Sequence, residues 1–185
     1  MNKNNKPAVR ETSAGIVVFR RDKKGPKFLL LYHGGGYWNF PKGHIEGTPR
    51  LEDMRPEVEK KETSLEAALR ETKEEAGFEV KELRILRNFR GYERFTFFKG
   101  KAKIFKLVVF YLAETQKRDV FISEMHEGYG WFYYRDAVRL VKNHRDTAAV
   151  LKKAHDFLRV RPKAAVPKLP VAGKLPPDKS LGLTG

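Results

Sequence analysis

Cysteine is absent from this chain, which excludes disulfide cross-links, a thiolate metal site and a cysteine nucleophile. The absence suits a reducing interior. Long apolar runs are missing too. The N-terminal stretch MNKNNKPAVRETSAGIVVFRR holds one short apolar run with charges close on both sides. A signal peptide needs a longer run and a small-residue cleavage site, and a membrane span needs about 20 apolar residues. A soluble, cytoplasmic protein with no membrane partner is expected. Acidic residues are scarce beside basic ones, 23 against 38, for a net charge of +15. Such a balance favours polyanionic partners such as nucleotides, polyphosphates, RNA or anionic lipid surfaces. Residues 1–10 and 159–185 together carry eight of the fifteen net charges, so the central part is only moderately basic.

Against that background the stretch LEAALRETKEEAG, residues 65–77, gathers the glutamates Glu71, Glu74 and Glu75. At about 100° per residue, Glu75 falls near +40° and Glu74 near −60° of Glu71, so all three share one helical stripe. Leu65, Ala68, Leu69, Thr72 and Ala76 form the adjacent arc, apolar enough to pack on a core. Thr63-Ser64-Leu65-Glu66 predicts a capping box, and Gly77 a left-handed C-terminal cap. Most charged helix faces are simply solvated. Here like charges at i,i+3 and i,i+4 would cost roughly 0.2–0.5 kcal/mol per pair, and the helix dipole disfavours anions near the C-terminal end. Hard oxygen ligands converging on a divalent cation turn that repulsion into binding energy, which points to a metal site.

The segment RETKEEAGF, Arg70 to Phe78, resembles the core of the Nudix box, with Thr72 a mild departure at an apolar position. Glu62, eight positions before Arg70, stands where the pattern has another glutamate, and WNFPKGHIEG, Trp38 to Gly47, resembles the opening loop with Gly43 as its first glycine. The family keeps that glycine and glutamate close together, whereas eighteen residues separate Gly43 from Glu62 here. The extra residues fall in TPRLEDMRPEVEKK, residues 48–61, read as a charged surface insertion. Loop-closure entropy grows only logarithmically, so the box helix can survive it. SAGIVVFRR, FLLLY, VVFYLAE, YGWF and AHDFL extend the resemblance over about residues 8–158, toward the asymmetrical diadenosine tetraphosphate hydrolase branch.

The resemblance implies an α/β fold, a Nudix-type α/β/α sandwich with a mixed sheet, at residues 11–160. A basic segment, 1–10, precedes it, and a flexible basic tail, 161–185, with five of the ten prolines, follows. It further implies water attack on a phosphoanhydride with Mg²⁺ or Mn²⁺ as cofactor, diadenosine tetraphosphate giving ATP and AMP. Glu74 and Glu75 would be the main metal ligands. Glu71 would be a further ligand or the general base, and a backbone carbonyl at Lys42 or Gly43 would complete the shell. Arg70 would orient a glutamate. Glu124 and Glu127 are candidates for an extra catalytic carboxylate, Lys42 and His44 for phosphate contacts. Tyr129 would stack on adenine, opposed by Tyr92 or Phe95, while His126 and His155 read as packing residues. The glycines of HGGGYWNF lack a P-loop ending and read as a turn. A monomer acting on a small nucleoside polyphosphate is expected. RNA 5′-pyrophosphate removal, inositol pyrophosphate hydrolysis and a non-catalytic polyphosphate- or RNA-binding module are the alternatives.

Overall fold

Strand β1 (Val9–Asp22) carries an almost unbroken apolar run from Ala14 to Phe19 and is buried on both faces there, as a central strand must be. The computed structural model describes residues 9–48 and 61–160. A tight turn joins β1 to β2 (Gly25–Tyr32) in an antiparallel hairpin, Asp22 opposite Gly25. The short β3 (Trp38–Asn39) and β4 (Lys42–His44) follow, then helix α1 (Ser64–Ala76). A 3₁₀ turn (Val80–Glu82), β5 (Arg84–Ile85), β6 (Gly91–Lys99), β7 (Ala102–Glu114) and β8 (Gly128–Tyr133) come next, and α2 (Tyr134–Val141) and α3 (Arg145–Val160) close the described chain.

The sheet runs β3-β2-β1-β7-β5, with β4 on β1, β6 on β7 and β8 on β2. β1 and β7 pair in parallel from Val9↔Ile104 to Phe19↔Glu114, the other pairs being antiparallel. Alternation then divides the core. Val17, Phe19, Phe28 and Leu30 pack with Ala137, Val141, Leu151 and Ala154 of α2 and α3. Ile16, Val18, Leu29 and Leu31 pack with Ala67, Ala68 and Ala76 of α1. Helices on both faces of a mixed sheet give the expected α/β/α sandwich.

β1 begins as early as Val9, well before the apolar run at Ala14, because its N-terminal end has β7 to pair with. The stretch 82–90, though rich in apolar residues, is mostly a turn: Leu86 and Phe89 drop into the core, and the Phe89 N–H donates to the Leu86 carbonyl. The predicted N-terminal segment through residue 8, the insertion at 49–60 and the tail at 161–185 lie outside the described residues. Among the described residues no helix is long and apolar enough to cross a membrane.

Gly15 is where β1 meets β4. A Cβ there would run into the Pro41 carbonyl and Lys42 on one side and the Phe110 ring on the other. Gly15→Ala is expected to destabilise the fold by about 1–3 kcal/mol through overpacking. Urea unfolding of the two proteins measures it, and an unchanged midpoint would show that the β1–β4 contact yields freely.

Candidate active site

Helix α1 is held at both ends before it presents any chemistry. Thr63 accepts from the Glu66 N–H while the Glu66 carboxylate accepts from the Thr63 N–H, and Gly77 caps the other end at φ 72°. Thr72, on the buried face, donates its hydroxyl to the Ala68 carbonyl at 2.7 Å. That bond removes the cost of placing a hydroxyl at an apolar position.

The exposed arc carries Arg70 and the box glutamates. Arg70 Nε and Nη2 grip both oxygens of Glu62, at 2.9 and 3.0 Å. Nη1 donates to Glu71 at 2.8 Å and Glu74 at 3.2 Å, and Nη2 also donates to the His44 carbonyl at 2.9 Å. These bonds, led by that to Glu62, raise the guanidinium's proton affinity. Burial pushes Glu62 toward protonation, yet hydrogen bonds from Arg70 and the Glu46 N–H prevail and hold it below the usual range. The insertion therefore leaves Glu62 in place. Its ends are pinned where the Glu62 N–H donates to the Glu46 carbonyl and the Glu46 N–H to the Glu62 carboxylate, both at 3.1 Å.

Gly43 faces Glu71 so closely that a Cβ would coincide with its carboxylate. Only glycine leaves room for the glutamate there. Burial raises the Glu71 pKa in spite of Arg70. Glu75 Oε2 accepts the Lys42 N–H at 2.8 Å, and burial still pushes its pKa up to about 7. Glu74 is the exposed member.

Two histidines complete this wall, and neither was a sequence candidate for the site. His126 is buried, its Nδ1 2.9 Å from the Ser123 hydroxyl and its Nε2 3.8 Å from Glu75 Oε1. The His33 ring lies against it with centroids 4.5 Å apart. Burial, then the Lys42 charge, lowers both pKa values, that of His33 to about 4, so both rings are neutral at pH 7. Only Ser123 and His126, three residues apart on an irregular loop, could have hinted at this, and that spacing has no specificity.

Lys42 Nζ sits 5.9 Å from the centre of the Tyr37 ring, which leads into a cavity of about 430 Å³. Tyr37, Glu93, Phe95, His144 and Thr147 line it. Glu93 accepts the Thr147 hydroxyl at 2.7 Å, and burial raises its pKa.

The remaining candidates are dispersed. The His44 ring turns inward to the Thr48 carbonyl, 3.1 Å away, and only its own carbonyl serves the site. Tyr129 is cross-strand from Leu31 and therefore on the α1 face. Tyr92 and Phe95 project from opposite faces of β6, and of the two only Phe95 lines the cavity. Tyr129 is not among the cavity's walls. Glu124 is exposed, and the Glu127 carboxylate crowds Gly34. His155 stacks on Tyr134 at 4.0 Å, a packing role.

Among the described residues no three acidic or histidine side chains stand as a ready-made metal cluster. Arg70 holds Glu71 and Glu74, and the Lys42 N–H holds one oxygen of Glu75. The donor set nevertheless fits a hard divalent cation. Two of the carboxylates sit partly buried with raised proton affinity beside a glycine that keeps the space open.

The same arrangement of elements recurs in known proteins. The NUDIX domain matches residues 9–154. The asymmetrical bis(5′-nucleosyl)-tetraphosphatase of Sus scrofa is 33% identical over 156 residues, covering 79% of this chain and 94% of that protein. Its Caenorhabditis elegans counterpart is 30% identical over 149 residues, covering 79% and 95%. The crystal structure of a C. elegans Ap4A hydrolase binary complex superposes with a TM-score of 0.64 at 27% identity, over 80% of this chain and 98% of that one. With the domain match spanning most of its length, this chain belongs to the NUDIX family.

Proposed function

We propose that the protein hydrolyses diadenosine tetraphosphate to ATP and AMP, by attack of water on phosphorus. The observation that carries the reading is the pair of partly buried carboxylates, Glu71 and Glu75, packed against Gly43 and the Lys42 N–H, with the Lys42 ammonium reaching toward Tyr37, a wall of the cavity of about 430 Å³. Relatives that match most of this chain bear the name of that activity.

In this reading Glu71, Glu74 and Glu75 hold the divalent cation, Mg²⁺ in preference to Mn²⁺. Bound there, a divalent ion supplies Lewis-acid stabilisation of phosphate charge and a lowered pKa for water. The chain's own groups do the rest. Arg70 keeps Glu71 and Glu74 oriented until substrate and cation arrive, and Lys42 meets a phosphate oxygen. Neutral His126, its Nδ1 facing the Ser123 hydroxyl, turns an unpartnered Nε2 toward Glu75 at 3.8 Å, within reach of a small shift when substrate and cation arrive. Glu71 takes the proton from the attacking water; the exposure of Glu124 and Glu127 makes them the weaker choice. Tyr37 and Phe95 flank one adenosine, leaving Tyr129 for the other end of a substrate with two bases. The cysteine-free chain acts in the cytoplasm as a monomer. Triphosphorylated RNA 5′ ends are the second reading, favoured by the net charge of +15. A non-catalytic module is disfavoured because every box glutamate is present.

Incubation with diadenosine tetraphosphate and Mg²⁺, with products resolved by anion exchange, should give equal ATP and AMP. Glu74→Gln and Glu75→Gln should each lower kcat by about 100-fold or more, since even groups that only support metal ligands are worth 10–100-fold. Absence of any metal-dependent product sinks the proposal. Arg70→Lys keeps the charge but loses the two-pronged grip on Glu62, and kcat should fall about tenfold or more with a lowered thermal midpoint.

The raised Glu75 pKa also sets a pH dependence. In metal-free protein the folded state holds this proton more tightly than the unfolded chain, whose ordinary glutamate value is 4.5. The contribution to stability is thus greatest at low pH and is lost as pH rises from about 4.5 through about 7. Metal affinity runs the other way, tightening from pH 6 to 8. Urea unfolding of chelated protein at pH 5 and pH 8 should show the loss, and Glu75→Gln should reduce it; an identical pH profile in the mutant contradicts the assignment.

A further inference from the structure

Among the described residues, no helix covers one face of the β6–β7 hairpin. Tyr92, Arg94, Thr96 and Phe98 alternate onto that face of β6. Register places Lys103 opposite Phe98 and Phe105 opposite Thr96, and Arg10 of β1 beside Phe105. Tyr92 is 45% exposed, Phe98 70% and Phe105 37%, values far above those of core aromatics. Arg94 lies over the Tyr92 ring, 5.6 Å from its centre. On these three strand segments the residues of that face include no carboxylate: Glu93 and Glu11 both point to the other side, toward Thr147 and Lys106.

Three exposed rings and three cations on one sheet surface are not a core that failed to close. An isolated apolar ring on a surface needs no explanation. Here, though, Phe98 and Phe105 are diagonal neighbours, about 7–8 Å apart by sheet geometry, and cations flank both. This spacing lets successive unpaired bases stack on successive rings while Arg10, Arg94 and Lys103 meet the backbone phosphates. The exposed Thr96 hydroxyl between them offers a partner for a ribose 2′-hydroxyl. A lipid surface would be met differently, by rings gathered at a tip.

We propose that the uncovered β1–β7–β6 face, through Phe98, Phe105, Thr96 and the cations Arg10, Arg94 and Lys103, binds single-stranded RNA. The face continues the side of the sheet on which α1 packs but includes none of the box carboxylates, and the proposal stands whether or not the hydrolase reading holds. The full-length chain is titrated into a fluorescent single-stranded RNA of about 12 nucleotides with a 5′-hydroxyl, which offers no phosphoanhydride to cleave, and anisotropy is read. Phe98→Ala and Phe105→Ala should each weaken binding about tenfold, and Lys103→Ala should flatten the salt dependence by about 0.7 in the log–log slope. Phe121→Ala, an equally exposed ring on the loop before Ser123, should change nothing. Both Phe variants should keep wild-type dinucleotide turnover and melting temperature. RNA affinity unmoved by Phe98→Ala and Phe105→Ala would overturn the proposal. So would equal affinity for the matching DNA oligomer, or binding to phosphatidylserine vesicles with none to RNA.

Discussion

Carboxylates gathered along one turn of helix repel one another, and burying them makes the repulsion worse. In this site the Arg70 guanidinium relieves it, donating to Glu62, Glu71 and Glu74 and to the His44 carbonyl. Those four partners come from the far lip of the insertion, from α1 and from β4. One planar group therefore fixes how the helix, the strand and the insertion meet. A lysine could neutralise the charge but could not span partners in so many directions, because its ammonium is a compact point charge without the rigid fork. The docking of α1 on β4, the closeness of Gly43 to Glu71 and the Lys42 bond to Glu75 all follow from that placement.

On the other wall the logic is reversed. Lys42 is a cation next to one buried and one half-buried histidine, His126 and His33, and its charge adds to burial in keeping both neutral. Had either been protonated, the wall would carry extra positive charge facing Glu75. As built, Glu75 meets one backbone N–H, one nearby cation and one neutral ring. Its proton affinity stays high until a stronger counter-charge arrives. Charge is thus held in reserve on the glutamates, while Lys42 sets a positive charge beside Tyr37, where it can draw a polyphosphate in.

What could be read from the chain alone was what is local. The box helix, its Thr63 and Gly77 caps and its acidic stripe follow from a 3.6-residue period and short-range hydrogen bonds, and the β1–β2 hairpin from two apolar runs around a turn. The parallel pairing of β1 with β7 could not be read, because nothing in residues 9–19 points to residues 104–114. His33 and His126 escaped for a related reason: each sits on irregular backbone, and they become neighbours only after β2 and β8 pair. Tyr92 and Phe95 show the opposite case. Their odd spacing already put them on different faces of any strand, so at most one of the two could oppose Tyr129.

β1 owes its length to a partner that lies about ninety residues further along the chain. A strand made early whose principal neighbour is made late cannot complete its hydrogen bonds in order of synthesis. Contacts of such long sequence separation slow folding, since the loop between them must close before the pairing rewards it. The charged residues at the start of β1, Arg10 and Glu11, keep that waiting edge from being purely apolar, and charge is a common protection of unpaired strands against the wrong partner. One edge of β1 can pair with β2 and β4 as soon as they are made, whereas the other is completed only once β7 exists, so the centre of the sheet is closed by its contact of longest sequence separation.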